Sequence, residues 1–285
     1  MKQLSYIFFL SMIAGCGLWD DAPGIPHQIV IDEFSIETSA IQGTSSHGVK
    51  EVWVYTSTDV LGVFPLPATI SYLQNDDEPL DLRILPGIKA NGIAATRQTY
   101  PFYTFLDIEQ EFVAGQTDTI AFISSYLDNA HIIIAEDFES ANRFQANSTS
   151  TAEVVRTIDP DKVYEGDASG YIHLYDSALH VMSTTQEQLY NLPTTGQIWM
   201  EFDYSCDNSF AVGLEAIGGV NAQRTPIIVL NPTEGEWKKL YLDLGPMVWS
   251  TPDAYGYEIT LDAVLDIDET EGYVLVDNFK IVHYE

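Results

Sequence analysis

Hydrophobic and polar residues alternate with a period of two along most of this chain. Leu80, Leu82 and Ile84 are interleaved with Asp81 and Arg83; Ile198, Met200, Phe202 and Tyr204 with Trp199, Glu201 and Asp203; Leu240, Leu242 and Leu244 with Tyr241, Asp243 and Gly245. Successive side chains of a strand point to opposite faces, so each run predicts a strand with one face buried and the other in water. The 3.6-residue recurrence of an amphipathic helix is almost absent. Turn-forming residues interrupt the chain at Gln42-Gly43, Asn75-Asp76-Asp77, Pro86-Gly87, Asn91-Gly92, Asp159-Pro160-Asp161, Gly218-Gly219 and Asn231-Pro232. Each of these tolerates positive φ or presets a bend. Val52-Trp53-Val54-Tyr55 followed by residues 61–67 reads as a hairpin running into an edge, because Pro65 and Pro67 have no N–H for a ladder. The strand pattern is broken at residues 128–136, which separate two strand-rich stretches.

The expected fold class is therefore all-β. Residues 27–130 have the size and strand spacing of an immunoglobulin- or fibronectin-like β-sandwich, and residues 133–285 those of a β jelly roll. With 285 residues, 46% of them hydrophobic, the chain is long and apolar enough for two packed cores. Charge narrows the choice of partners. Forty-two Asp and Glu against 12 Lys and Arg leave a formal net charge of −30, which repels a phosphate backbone and excludes nucleic-acid binding by counterion release.

The N-terminus reads as an address. Lys2 precedes an apolar stretch, Tyr6-Ile7-Phe8-Phe9-Leu10-Ser11-Met12-Ile13-Ala14, that is too short to span a bilayer and fits the core of a secretion signal. Behind it, Ile13-Ala14-Gly15-Cys16 resembles the lipobox of bacterial lipoproteins. That resemblance implies cleavage of residues 1–15, acylation of Cys16 and a lipidated tether over residues 16–26. Palmitate-type chains anchor a protein stably once there are two or more, since each buried methylene contributes about 0.8 kcal/mol. With Cys16 acylated, Cys206 has no partner for a disulfide and is read as a small buried hydrophobe. Gly17-Leu18-Trp19-Asp20-Asp21 resembles the acidic export signal of Bacteroidota-type lipoproteins. It implies an outer-membrane location facing the cell exterior.

The second half resembles the carbohydrate-binding-module, galactose-binding-like jelly rolls. The resemblance rests on Glu136-Asp137-Phe138-Glu139, on the run from Val163 to Gly170 before the strand Tyr171-Ile172-His173-Leu174, on Gly235-Glu236-Trp237-Lys238-Lys239-Leu240, and on the closing run from Val274 to Ile281. It implies a structural calcium ion where the first strand, the early glycine loop and the last strand meet. Glu139 and Asp277, with Glu165 or Asp167, would supply its oxygens, six to eight of which calcium gathers from distant segments. It also implies sugar binding by exposed rings, for which Trp237, Trp249, Tyr255 and Tyr257 are the candidates.

Signatures of catalysis are missing from the sequence. There is no His-Glu-x-x-His helix, no Gly-x-Ser-x-Gly elbow and no glycine-rich phosphate loop, and the six histidines lack metal-ligand spacing. Ser45-Ser46-His47-Gly48 reads as a polar loop rather than part of a triad. The sequence thus favours a non-catalytic, lipid-anchored surface protein, an accessory subunit that docks on an outer-membrane transport, secretion, motility or assembly complex. A glycan-binding lipoprotein that engages polysaccharide is the alternative, and a glycan-acting hydrolase ranks last.

Overall fold

The first unit is built from ten strands: β1 (His27–Ile31), β2 (Phe34–Glu37), β3 (Glu51–Thr56), β4 (Val60–Pro65), β5 (Ala68–Tyr72), β6 (Leu80–Lys89), β7 (Arg97–Thr99), β8 (Leu106–Gln110), β9 (Thr117–Thr119) and β10 (Phe122–Ser125). They belong to a computed structural model that describes residues 24–73, 79–111, 113–186, 190–220 and 223–285. The secretion signal, Cys16, the acidic export residues and the turn at Asn75-Asp76-Asp77 lie outside the described residues. One sheet runs β4-β3-β6-β7, with β8 also on β6. Facing it are β5-β1-β9 and the pair β2-β10, in which β1 and β2 run parallel to β9 and β10. Alternation makes the core: Ile29, Ile31, Val52, Val54, Ile70, Leu82 and Ile84 all point inward and are fully buried.

Pro86-Gly87 is not the turn that its residue types suggest. Both residues lie inside β6, with Val52 opposite Pro86. On the other edge of β6 the neighbour changes here: β8 pairs with the strand up to Ile84 and β7 from Gly87 onward. The proline's missing N–H falls in the gap between these two ladders, where it costs no bond.

The second unit comprises β11 (Ala130–Glu136), β12 (Gln145–Ala146), β13 (Val155–Thr157), β14 (Ser169–Tyr175), β15 (His180–Thr184), β16 (Ile198–Cys206), β17 (Phe210–Ile217), β18 (Arg224–Leu230), β19 (Lys238–Asp243), β20 (Gly256–Val264) and β21 (Glu271–Tyr284). Two antiparallel sheets face each other as a jelly roll, β13-β14-β21-β16-β19 with β11 also on β21, and β12-β15-β20-β17-β18. Phe202 and Phe279 stack at the centre of their core, 4.7 Å apart and 11° from parallel. Each such fully buried side chain contributes roughly 1.5–3 kcal/mol. The run from Met247 to Tyr257 is loop only over residues 251–255. Gly245–Ser250 forms a single-turn helix, α1, begun by Pro246, whose fixed φ suits a first helical position, and Tyr257 lies in β20.

The larger departure from the alternation pattern is in β16, where all nine residues are buried. The row that the sequence assigns to water, Trp199, Glu201 and Asp203, is covered by the first unit. Trp199, Tyr241 and Val282 join that unit's core. The Tyr100 ring meets Trp199 edge-on at 5.8 Å. Glu201, fully buried, accepts hydrogen bonds from the Tyr100 hydroxyl at 2.6 Å and the Tyr126 hydroxyl at 2.9 Å, and Lys239 Nζ stands 3.6 Å from it. Burial, reinforced by the Glu201 charge, pushes both phenols well above their usual range, so they remain donors. The two units therefore share a buried, hydrogen-bonded ionic layer.

Candidate functional site

The same contact leaves a cleft along one side of the junction. Its depth is set by close backbone approach. A Cβ at Gly48 would stand 3.1 Å from the Tyr241 ring and 3.2 Å from Lys239 Cβ, and the Gly48 N–H donates to Tyr241 Oη at 3.0 Å. The turn Asn91-Gly92, both residues at positive φ, lays the Asn91 N–H on the Tyr241 carbonyl at 2.8 Å, while Asn91 Oδ1 accepts from the Asp243 N–H at 2.9 Å. Ser46 donates to Asp203 Oδ2 at 2.7 Å and accepts from Lys239 Nζ at 2.9 Å. Beside these ties opens a space of about 590 Å³. His47, Lys50, Glu51 and Lys89 form its wall on the first unit, and Tyr164, Trp237, Lys238 and Lys239 its wall on the jelly roll.

The chemistry of these walls is uneven in a useful way. The Tyr164 and Trp237 rings lie 4.9 Å apart at 38°, and burial pushes the Tyr164 phenol up to about 12. Across the cleft, Gly87 leaves room for Trp53, since a Cβ there would stand 2.9 Å from the Trp53 ring. Three buried polar atoms in this region have no hydrogen-bond partner: Glu51 Oε1, His47 Nδ1 and Trp53 Nε1. The other Glu51 oxygen pairs with Arg97 Nε at 3.2 Å. Burial, with Lys50 and Lys239 nearby, lowers the His47 pKa and favours the neutral imidazole. The cleft thus combines the Tyr164–Trp237 ring pair with Glu51, His47 and the lysines of its walls. A buried polar atom left unpaired costs about 1–3 kcal/mol.

No protein-family model matches the chain, and no curated protein does. Solved structures do match over about half of it. A family 29 carbohydrate-binding module complexed with cellulohexaose aligns at 11% identity and a TM-score of 0.35, covering 55% of this chain and 93% of that one. The family 30 module of a cellulosomal cellulase of Clostridium thermocellum aligns at 13% identity and 0.42, covering 53% and 96%. An arabinose-bound α-L-arabinofuranosidase aligns at 13% identity and 0.40, covering 54% of this chain and 26% of that one. These are likenesses of β-sheet architecture. The saccharides named with those proteins belong to them.

The four candidate rings do not form one platform. Trp237 lines the cleft, whereas Trp249, 44% exposed, folds back over Gly245 on α1. Tyr255, 77% exposed, lies against Gly218. Tyr257 is a core residue and is removed from the set: it is 3% exposed, and its hydroxyl sits 2.9 Å from the Thr251 carbonyl and 3.2 Å from that of Val248. The residues that the sequence did not single out, Glu51, Trp53 and Tyr164, come from a strand and a loop that meet Trp237 only through the tertiary fold.

The acidic residues assigned to calcium are brought to one corner, but their oxygens are otherwise engaged. Glu139 accepts from the Asp167 N–H at 3.0 Å and the Ala168 N–H at 3.4 Å. Asp277 accepts from Ser169 Oγ at 2.6 Å and from the Asn278 N–H at 2.8 Å, and Glu165 takes the Thr44 hydroxyl. Among the described residues no three His, Cys, Asp or Glu side chains converge as a metal site. This arrangement does not fit a calcium ion, and no function is derived through one. Cys206 is buried and free, and burial pushes its thiol up to about 12, which leaves it inert at neutral pH.

The jelly roll's other sheet keeps its outer face open, and a smaller recess of about 270 Å³ lies on it. Arg224 dominates this recess. It is held by Asp262, by Glu215 at 3.0 Å and by the Ser183 carbonyl at 2.8 Å. Among the described residues no aromatic ring lines it, and the one cation that does is already neutralised.

Proposed function

We propose that this chain is a non-catalytic glycan-binding protein that holds a saccharide in the cleft between its two units. A lipid anchor at Cys16, on the outer membrane and facing outward, completes this reading. The observation that carries it is the Tyr164–Trp237 ring pair in the cleft wall, in one space with Glu51 and His47, each of which has a polar atom with no hydrogen-bond partner. A sugar presents C–H faces to rings and hydroxyls that serve equally as donor and acceptor, which is the complement of such a wall. The docking role that the sequence favours loses ground for a structural reason. The jelly-roll sheet face around Trp199 is already covered by the chain's own first unit.

The test is calorimetric titration of the acylated protein in detergent with a panel of soluble polysaccharides. Trp237→Ala should weaken binding at least about tenfold, the loss typical of one base- or sugar-sized stacking contact. Trp249→Ala should leave it unchanged. If no polysaccharide in the panel binds at millimolar concentration, the reading fails.

A further inference from the structure

We propose that the ligand of the interdomain cleft is an anionic glycan, one that carries uronate carboxylates or sulfate esters. This deepens the reading above and rests on it. The chain has only 12 Lys and Arg against 42 Asp and Glu, yet Lys50, Lys89, Lys238 and Lys239 all line this one cleft. Four of twelve cations in so small a part of the surface is a segregation of charge.

The four do not have equal roles. Lys239 is buried and committed, with its Nζ 3.4 Å from Asp203 and 3.6 Å from Glu201. Lys50, Lys89 and Lys238 are exposed, and none of them forms an ion pair with a described residue. Elsewhere the cations are engaged: Arg83 with Asp107, Lys162 with Asp159, Arg224 with Asp262 and Glu215. The carboxylates that line the cleft are Glu51, whose charge Arg97 offsets, and Glu236. The cleft therefore holds a local excess of positive charge within a strongly negative molecule. Opposite charges attract across the few ångströms of direct contact, whereas the repulsion from the rest of the surface is screened beyond roughly 8 Å at physiological salt.

Acidic groups and neutral hydroxyls have separate places in this arrangement. Lys50, Lys89 and Lys238 receive carboxylate or sulfate oxygens. Trp237 with Tyr164 stacks on a sugar face, and Glu51 and His47 in the same space take its neutral hydroxyls.

The experiment titrates the full-length acylated protein with four probes: a uronate oligosaccharide, the same oligosaccharide after carboxyl reduction, a sulfated galactan oligosaccharide and poly-glutamate. The first or the third should bind at least about tenfold more tightly than the carboxyl-reduced form, with affinity falling as salt is raised. The triple variant Lys50→Gln, Lys89→Gln, Lys238→Gln should erase that preference and leave binding of the reduced oligosaccharide intact. Lys162→Gln, at a paired lysine outside the cleft, should change nothing. Equal binding of the charged and reduced forms, or a triple variant that keeps the preference, overturns the charge assignment while the glycan reading stands. Binding of poly-glutamate as tightly as the best glycan overturns the saccharide assignment. Failure of all four probes, joined by failure of neutral polysaccharides, overturns both.

Discussion

Two rows of the jelly roll look alike on paper and behave as opposites. On β16 the outward row is Trp199, Glu201, Asp203; on β20 it is Glu258, Thr260, Asp262. Both alternate with apolar partners and both carry two acids. Yet Glu201 and Asp203 are 0% and 1% exposed, whereas Glu258 and Asp262 keep contact with water. The difference lies in what covers them. The first unit brings Tyr100, Tyr126 and Ser46 as donors to the β16 acids, and Lys239 from the adjacent strand completes the layer. Alternation in a sequence therefore shows that a face exists and is polar. It does not show whether water or a partner meets that face.

The sharpest way to break this comparison is Glu201→Leu. It strands two tyrosine hydroxyls and removes one of the two carboxylates near Lys239. Removing one member of a buried ionic group costs about 3–5 kcal/mol. Urea unfolding should show a loss of that size, and Glu201→Gln, which keeps an acceptor, should lose less. A Glu201→Leu protein as stable as the parent would mean that the two units do not share this layer.

The covered sheet should also leave a mark on pH dependence. Burial raises the Asp277 carboxyl from its ordinary value near 3.8 to about 7, so the folded state holds this proton more tightly than the unfolded chain. The contribution to stability is full below the unfolded value and is lost as pH rises toward 7, by at most about 1.4 kcal/mol per pH unit. Asp277→Asn removes that slope and can keep the contact with Ser169. The variant should gain on the parent between pH 4 and pH 7, and the gap should level off above that. Urea midpoints at pH 5 and pH 7.5 check the sign. A gap that narrows as pH rises refutes it.

How much of this was readable in advance follows from the range of the interactions. The strands at 198–206 and 238–243 carry a local period of two, whereas the break expected at 128–136 is mostly strand, since β11 occupies residues 130–136. The period is a property of neighbours in the chain. The cleft is not: Ser46 reaches Asp203 across 157 positions, and Gly48 reaches Tyr241 across 193. Trp237 was legible because it heads a strand after Gly235, but Glu51 and Trp53 look like any outward row of an edge sheet. Their role appears only when Gly87 opposite them and the jelly-roll wall are in place. The helix α1 escaped notice because one turn is too short to establish a period.

The smallest effect belongs to the open row. Asp262 holds Arg224 from a partly exposed position, and Glu215 remains to keep the guanidinium company. Exposed or half-exposed ion pairs contribute about 0–1 kcal/mol, because water competes for both partners. Asp262→Ala should therefore lower the unfolding free energy measured in urea by no more than about 1 kcal/mol, a fraction of the loss at Glu201. It should leave glycan affinity unchanged, since the recess around Arg224 offers neither rings nor a free cation. A large loss here would show that the open sheet hides a covered face of its own. A loss of binding would move the ligand from the junction to the sheet's outer surface.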